Sequence, residues 1–450
     1  MLGLLVHAWL RRTQRRADAA DGSPRAAQEA LHRRMAQAIR GTRAAAIQDP
    51  RVWEGLEGYR RHLRPTSYDD YRALVEEARS SPVPGTFERR VTTAFGHSSS
   101  GKKFVPFTRA HIDTFRAFQM DSVAELAIGQ GMGELLGATS LMIQGSLEVA
   151  RSDAGVLSGY SSAVMVERTP WLLKRRLLPS PEALRSPDPE ARAAAIGRAL
   201  IEKKPTLLTG MPEFVVGMLQ QLLAGPDRDR VRDALRGIRA YAWSGMSVGA
   251  YRPFLDEHLG PGCRYFDVVS ATEGPLGIQS GALGVYRPAL GRSLLLFAPP
   301  HDLDDRRFAW ELEEGATYTV LLGSFAGLHG FRVGDRIRVV QARPLRFELL
   351  PRTIDVGATC ALLGEDTSDL CAYLDPRTRV LRLLVEGVRP PSLAALRAFT
   401  ARLGAVEASV RLVERGRIAR AAVLLNLQGI TKLPRLHSRP EVQALLERLA

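Results

Sequence analysis

The chain of 450 residues is 45% hydrophobic and 24% charged, globular proportions with length enough for one large core and a smaller appended unit. Its 40 glycines and 27 prolines are too few for collagen or long disordered tracts. The three scattered cysteines (Cys263, Cys360, Cys371) argue against a disulfide scaffold or zinc site and fit a reducing compartment.

Taken in chain order, MLGLLVHAWLRRTQRR puts apolar residues ahead of arginines, the reverse of a secretory signal. It predicts an amphipathic helix packed on the body, with a weak membrane-surface contact as the alternative. No apolar run approaches the ~20 residues of a bilayer span, so a cytoplasmic protein without integral membrane association is expected. AAQEALHRRMAQAIRGTRAAAI predicts a helix ending before Asp49-Pro50. TSYDDYRALVEEARSS predicts another, opened by a Thr/Ser cap and acids in its first turn. A strand is expected over Val91–Phe95, then a polar loop, then a helix from Thr108 to about Leu136.

Residues 155–170 are Gly/Ser-rich and read as irregular; Pro179–Gly197 reads as a surface excursion with its own helix. Strands over Leu207–Gly210, Ile238–Trp243 and Arg264–Val269 alternate with helices over Glu213–Leu223 and Tyr251–Leu259, an α/β layered core. From Val285 to Val340 the period becomes two, predicting a barrel-like or mixed-sheet section. Beyond Pro351 a smaller α+β piece is expected: strands Val380–Val385 and Val410–Val413, helices Ser392–Leu403 and Pro440–Leu449. The fold class is thus α/β, a multi-layer domain over 1–352 followed by a small basic α+β domain over 353–450.

The net charge of +14 sits at the two ends, +6 in residues 1–43 and +9 in residues 376–450. Few aromatics accompany it, which argues against nucleic acid as a partner and suits a basic module closing over a polyanionic small molecule. Only six of the 62 basic residues are lysines, so each is a candidate for a place that needs a compact, flexible point charge, with chance survival as the alternative.

Four segments carry chemistry. HSSSGKKFVPFT follows a strand with Ser98, Ser99, Ser100, Lys102 and Lys103, groups that can cradle a polyphosphate; the alternative is a polar surface loop. YFDVVSATEGPLG places Thr272 and Glu273 at the carboxyl end of a strand, where Glu273 can hold Mg²⁺ beside a nucleotide; the alternative is a simple turn. GLHGFRVGDRIRVV interrupts strand alternation at Gly334-Asp335, a carboxylate able to accept both hydroxyls of a ribose, or else a hairpin turn. GITKLPRLHS holds Lys432 in the basic end piece; a solvated lysine is the alternative. HDLDD (His301–Asp305) looks metal-like but reads as a solvated turn.

In this order the segments resemble the Gretchen Hagen three family, the plant auxin-responsive acyl-acid amido synthetases and their bacterial relatives, within the adenylate-forming superfamily. SSSGKKFVPFT is similar to the family's phosphate loop, VVSATEGPLGIQ to its Ala-Ser-Glu-Gly motif, AGLHGFRVGDRIRV to its Gly-Asp motif and TKLPRL to its terminal Lys-x-Pro-Arg. The resemblance implies ATP-dependent activation of a small carboxylic acid as an acyl-adenylate, then transfer to an amine. It also implies that Ser98, Ser99, Ser100, Lys102 and Lys103 bind the leaving phosphates, that Ser244 and Gly245 occupy the nucleotide segment, and that Thr272 and Glu273 hold nucleotide and Mg²⁺. Asp335 would bind the ribose, Arg332 a nearby phosphate or ribose oxygen, and Lys432 the α-phosphate as a catalytic group. The chain departs from the family in four places: the phosphate loop is short and lacks the Gly-Thr-Thr core, His329-Gly330 stands where Tyr-Arg is usual, Ser244-Gly245 stands where Gly-Gly is common, and the C-terminal domain is shorter than in the plant enzymes. A thiol acceptor, and a non-catalytic binding protein of the same fold, are the alternatives.

Overall fold

The computed structural model describes residues 2–97, 103–144, 149–169, 174–186, 188–350, 363, 369–374, 378, 380–403, 405, 407–414, 416–418 and 436–437. Four helices lead in: α1 (Leu2–Gly22), α2 (Pro24–Ile39), α3 (Leu56–His62) and α4 (Tyr68–Ser80). The expected cap of α4 is a capping box, in which the Ser67 backbone N–H donates to Asp70 Oδ2 at 2.7 Å. Helix α1 packs on the body through buried Leu10, which meets Ala124 and Ala127.

Strands β1 (Ala94–His97) and β2 (Phe104–Pro106) form a hairpin around the 98–102 segment, followed by helix α5 (Arg109–Ala124). Helix α5 stops well before Leu136. The chain turns through a π-helical turn at Glu125–Gly129 and reaches Gly131 at a φ of +71°. Next come β3 (Ser140–Met142), β4 (Val149–Arg151), β5 (Leu157–Tyr160) and helix α6 (Ser161–Glu167). The last two replace the irregular segment expected from Gly/Ser content. Leu157 is buried and pairs with Ala94 of β1, and that tertiary pairing overrides local composition. The small sheet has the order β2-β1-β5-β4.

The large sheet continues with β6 (Leu177–Leu178), β7 (Leu207–Thr209), β8 (Ala240–Ser244), β9 (Arg264–Ala271), β10 (Gly274–Gln279), β11 (Val285–Pro288), β12 (Leu294–Ala298), β13 (Thr317–Gly323), β14 (Phe331–Gln341) and β15 (Arg346–Leu350). Its eleven strands run β12-β13-β14-β15-β11-β10-β9-β8-β7-β3-β6. The β9-β8-β7-β3-β6 half is parallel and is covered by helices such as Pro189–Lys203 and Pro212–Leu223. The other half is antiparallel, and Leu276, Leu295, Phe297, Val320, Ile337, Phe347 and Leu349 from its strands close around a void of about 10 Å³. A third sheet, β18-β17-β16-β19, comprises β16 (Asp369–Leu374), β17 (Val380–Glu386), β18 (Glu407–Val413) and β19 (Leu436–His437), with helix Leu393–Leu403 alongside. This is the mixed α/β class expected; the helix expected over Pro440–Leu449 lies outside the described residues.

Candidate functional site

In the parallel half, the carboxyl ends of the strands share one edge, the place where open α/β sheets bind ligands. Strand β7 ends in Thr209; Gly210 follows at a φ of +145°, and a Cβ there would stand 1.8 Å from the Ile143 carbonyl oxygen, so only glycine fits. Strand β8 ends in Ser244, whose Oγ lies 3.2 Å from Ser270 Oγ on β9; Gly245 follows at a φ of +96°. Strand β9 ends by reversing directly into β10, with Ala271 paired to Gly274, so that Thr272 and Glu273 alone form the hairpin tip. The Glu273 side chain is buried.

Thr272 is held from two sides. His111, in the first turn of α5, donates its Nε2–H to the Thr272 carbonyl at 3.1 Å. Ser161, at the start of α6, donates to Thr272 Oγ1 at 3.0 Å, and its hydroxyl lies 3.3 Å from the carbonyl of His97, the last residue before the 98–102 segment. Helix α5 is itself anchored: Thr108 caps it by accepting the His111 backbone N–H at 3.1 Å and donates to the Phe325 carbonyl at 2.6 Å. One hydrogen-bonded chain therefore joins the hairpin tip, the stem of the 98–102 segment and the 324–330 loop. Burial pushes the His111 imidazolium down to about 4, so the ring is neutral near pH 7 and its single N–H is committed to Thr272.

The 324–330 loop feeds β14. His329 is fully buried, lies edge-on to Trp53 at 4.9 Å and has Nδ1 3.2 Å from Tyr59 Oη. Burial, with His32 nearby, pushes it down to about 3, so it is a neutral anchor, and Gly330 beside it brings no side-chain charge. Its carbonyl accepts from Gln48 Nε2 and Thr66 Oγ1, both at 2.8 Å. Gly334-Asp335 lies in a bulge inside one continuous strand, not in a hairpin turn. The register jumps from Leu321↔Arg332 to Thr319↔Arg336, and Gly334 takes a φ of +83° where β14 absorbs two extra residues. Asp335 is buried whereas Arg332 is exposed, with its backbone N–H bound to the Thr66 carbonyl at 2.9 Å.

Of the residues singled out in the sequence, Ser244, Gly245, Thr272 and Glu273 share the carboxyl edge, and Arg332 and Asp335 lie on β14. Lys103 is exposed just before β2. Ser98, Ser99, Ser100, Lys102 and Lys432 lie outside the described residues. HDLDD is a solvated turn: Asp302 Oδ1 accepts the Asp304 N–H at 2.9 Å, and Asp304 and Asp305 pair with arginines. Among the described residues no group of three or more His, Cys, Asp or Glu could hold a metal ion, and no helix is long and apolar enough to cross a membrane. Phe107, Ile112, Leu157, Val164 and Met165 pack together where α5 meets β5 and α6. A groove of about 400 Å³ lies on the opposite face of α5, against α2. Sequence reading missed His111 and Ser161: a histidine on an amphipathic helix and a serine after a Gly-rich turn give no local signal of the partner that each meets.

The sequence matches no family model and no curated protein. The fold, in contrast, is similar to GH3.15 acyl acid amido synthetase with a TM-score of 0.73 at 12% identity, over 96% of this chain and 94% of that one. AtGH3.15 acyl acid amido synthetase in complex with 2,4-DB matches at 0.67 and 13%, over 99% and 96%. The 2-hydroxyisobutyryl-CoA ligase in the postadenylation state, in complex with 2-HIB-AMP, matches at 0.57 and 16%, over 94% and 91%. The fold is that of the adenylate-forming enzymes. Within that class it has the arrangement of the GH3 acyl acid amido synthetases, as the motif order led us to expect.

Proposed function

We propose that the protein activates a small carboxylic acid with ATP and passes the acyl group to an amine, such as that of an amino acid. The carboxylate oxygen attacks the α-phosphorus, the bond to the β,γ-phosphates breaks, and pyrophosphate leaves. The amine nitrogen then attacks the acyl carbon and AMP leaves. The observation that carries this reading is the Thr272–Glu273 tip, fixed by His111 and Ser161 at the carboxyl edge of a fold similar to an amido synthetase.

In this reading Ser98, Ser99, Ser100, Lys102 and Lys103 bind the leaving phosphates, Ser244, Gly245 and Thr272 flank the nucleotide, Asp335 accepts the ribose hydroxyls and Arg332 meets a ribose or phosphate oxygen. One buried carboxylate beside a hydroxyl suits Mg²⁺, which takes one or two protein carboxylates and completes its shell with phosphate oxygens and water. Glu273 would hold it, and the ion would neutralise charge on the phosphates. Residues 353–450 form the closing domain, carrying Lys432 to the α-phosphate to stabilise the transition state. The cytoplasm supplies ATP and suits the sparse cysteines.

The likeness to a CoA ligase supports a second reading in which a thiol takes the acyl group. Carboxylate-dependent ATP–pyrophosphate exchange tests activation, and the acceptor that accelerates AMP release, amine or CoA thiol, separates the two. Absence of exchange across a broad acid panel by folded protein overturns both and favours a binding protein. Lys432→Ala should abolish most exchange while changing stability by under ~0.5 kcal/mol.

A further inference from the structure

Helix α1 is electrically two-sided. Both of its acids point at the body: Asp18 Oδ1 lies 3.0 Å from Arg287 Nη1, and Asp21 Oδ2 lies 2.7 Å from Arg346 Nη1. Gln14 on the same side donates to buried Glu125 at 2.9 Å, and Leu10 is 1% exposed. Arg11, Arg12, Arg15 and Arg16 are exposed, and none forms an ion pair among the described residues. Trp9 remains 49% exposed and Val6 37%. Trp9, Arg12 and Arg16 follow the i, i+3, i+7 spacing of one helical stripe, turned away from the stripe of Leu10, Gln14 and Asp21.

We propose that the outward face of α1 docks the protein on an anionic lipid bilayer surface. Inward placement of both acids leaves the outer face cationic, complementary to anionic headgroups. An indole exposed beside arginines suits the bilayer interface, where its ring lies at headgroup level while guanidinium groups reach lipid phosphates. The helix is already folded and its docked stripe stays on the body, so binding requires no ordering of α1 and no release from the core. Exposed Trp9 and Val6 favour a bilayer over nucleic acid, which rewards the arginines but not aliphatic exposure.

The test is co-sedimentation of the full chain with vesicles of equimolar phosphatidylcholine and phosphatidylglycerol, beside vesicles of phosphatidylcholine alone. The protein should pellet with the first and not the second, and salt should weaken the association. Arg12→Glu with Arg16→Glu should lower partitioning at least about 25-fold, about fivefold for each positive charge removed. Trp9→Ala should weaken binding with melting temperature unchanged. Equal binding to both vesicle types, no binding to either, or full binding by the double variant overturns the proposal. Tighter retention on duplex DNA than on anionic vesicles, insensitive to Trp9→Ala, overturns it in favour of nucleic acid.

Discussion

The parallel half of the large sheet brings hydroxyls, glycines and a carboxylate to its edge: Thr209-Gly210, Ser244-Gly245 and Thr272-Glu273. The antiparallel half turns Leu276, Phe297, Val320 and Phe347 inward and leaves almost no space. The two halves share β9 and β10, so the hairpin tip that joins them is polar chemistry held at the rim of a close-packed core. Mutations should separate these contributions, since a packed interior governs stability and a preorganised polar tip governs turnover.

The largest effect is expected in the packed half. Phe297 is 1% exposed, and Phe297→Ala should cost about 4 kcal/mol of stability in a denaturant titration, with turnover per folded molecule unchanged. At the tip the pattern reverses: Glu273→Gln should lower ATP–pyrophosphate exchange about a hundredfold with little change in melting temperature. If Glu273→Gln instead unfolds the protein, the tip belongs to the core and the contrast fails.

His111 tests the boundary between the two. His111→Leu leaves the Thr272 carbonyl without its donor and should cost about 1–3 kcal/mol of stability, with exchange about tenfold lower. His111→Gln, which keeps an N–H at the same reach, should recover most of both.

The last contrast is in pH. His111 is held at about 4 and His329 at about 3, against 6.5 for an ordinary histidine. Below pH 6.5 the unfolded chain takes up protons that the native rings refuse. Their contribution is complete above 6.5 and is lost as pH falls, until each ring's folded pKa is reached. Asp267 works in the opposite direction. Burial raises it from 3.8 to about 7, so it stays protonated in the native state and its contribution falls as pH rises between those values. The measurement is therefore differential: melting temperature against pH from 7 to 4 should fall less steeply in His111→Gln than in the unsubstituted protein.

Sequence periodicity located the alternation that builds the parallel half, because buried strands and amphipathic helices write their partners into local pattern. Strands β3, β4 and β6 were illegible: they are two or three residues long and exist through pairing with distant neighbours. The bulge at Gly334-Asp335 was mistaken for a possible turn because a glycine and an aspartate read alike in both, and only the register of β13 separates them. Ser244 enters only through the resemblance, whereas the strand-end placement of Thr272 and Glu273 was legible. Their positioning by His111 and Ser161 was not, since those contacts span 161 and 111 residues of sequence.

In the proposed function, the carboxyl edge of the parallel half, with β14, binds an adenosine nucleotide. Hydrogen exchange with and without ATP and Mg²⁺ tests it most directly. Nucleotide should slow exchange in the Thr272–Glu273 tip and around Gly334-Asp335 and leave strands β11 and β12 unchanged. Unaltered exchange at the tip under saturating nucleotide, or protection confined to the packed half, would contradict it.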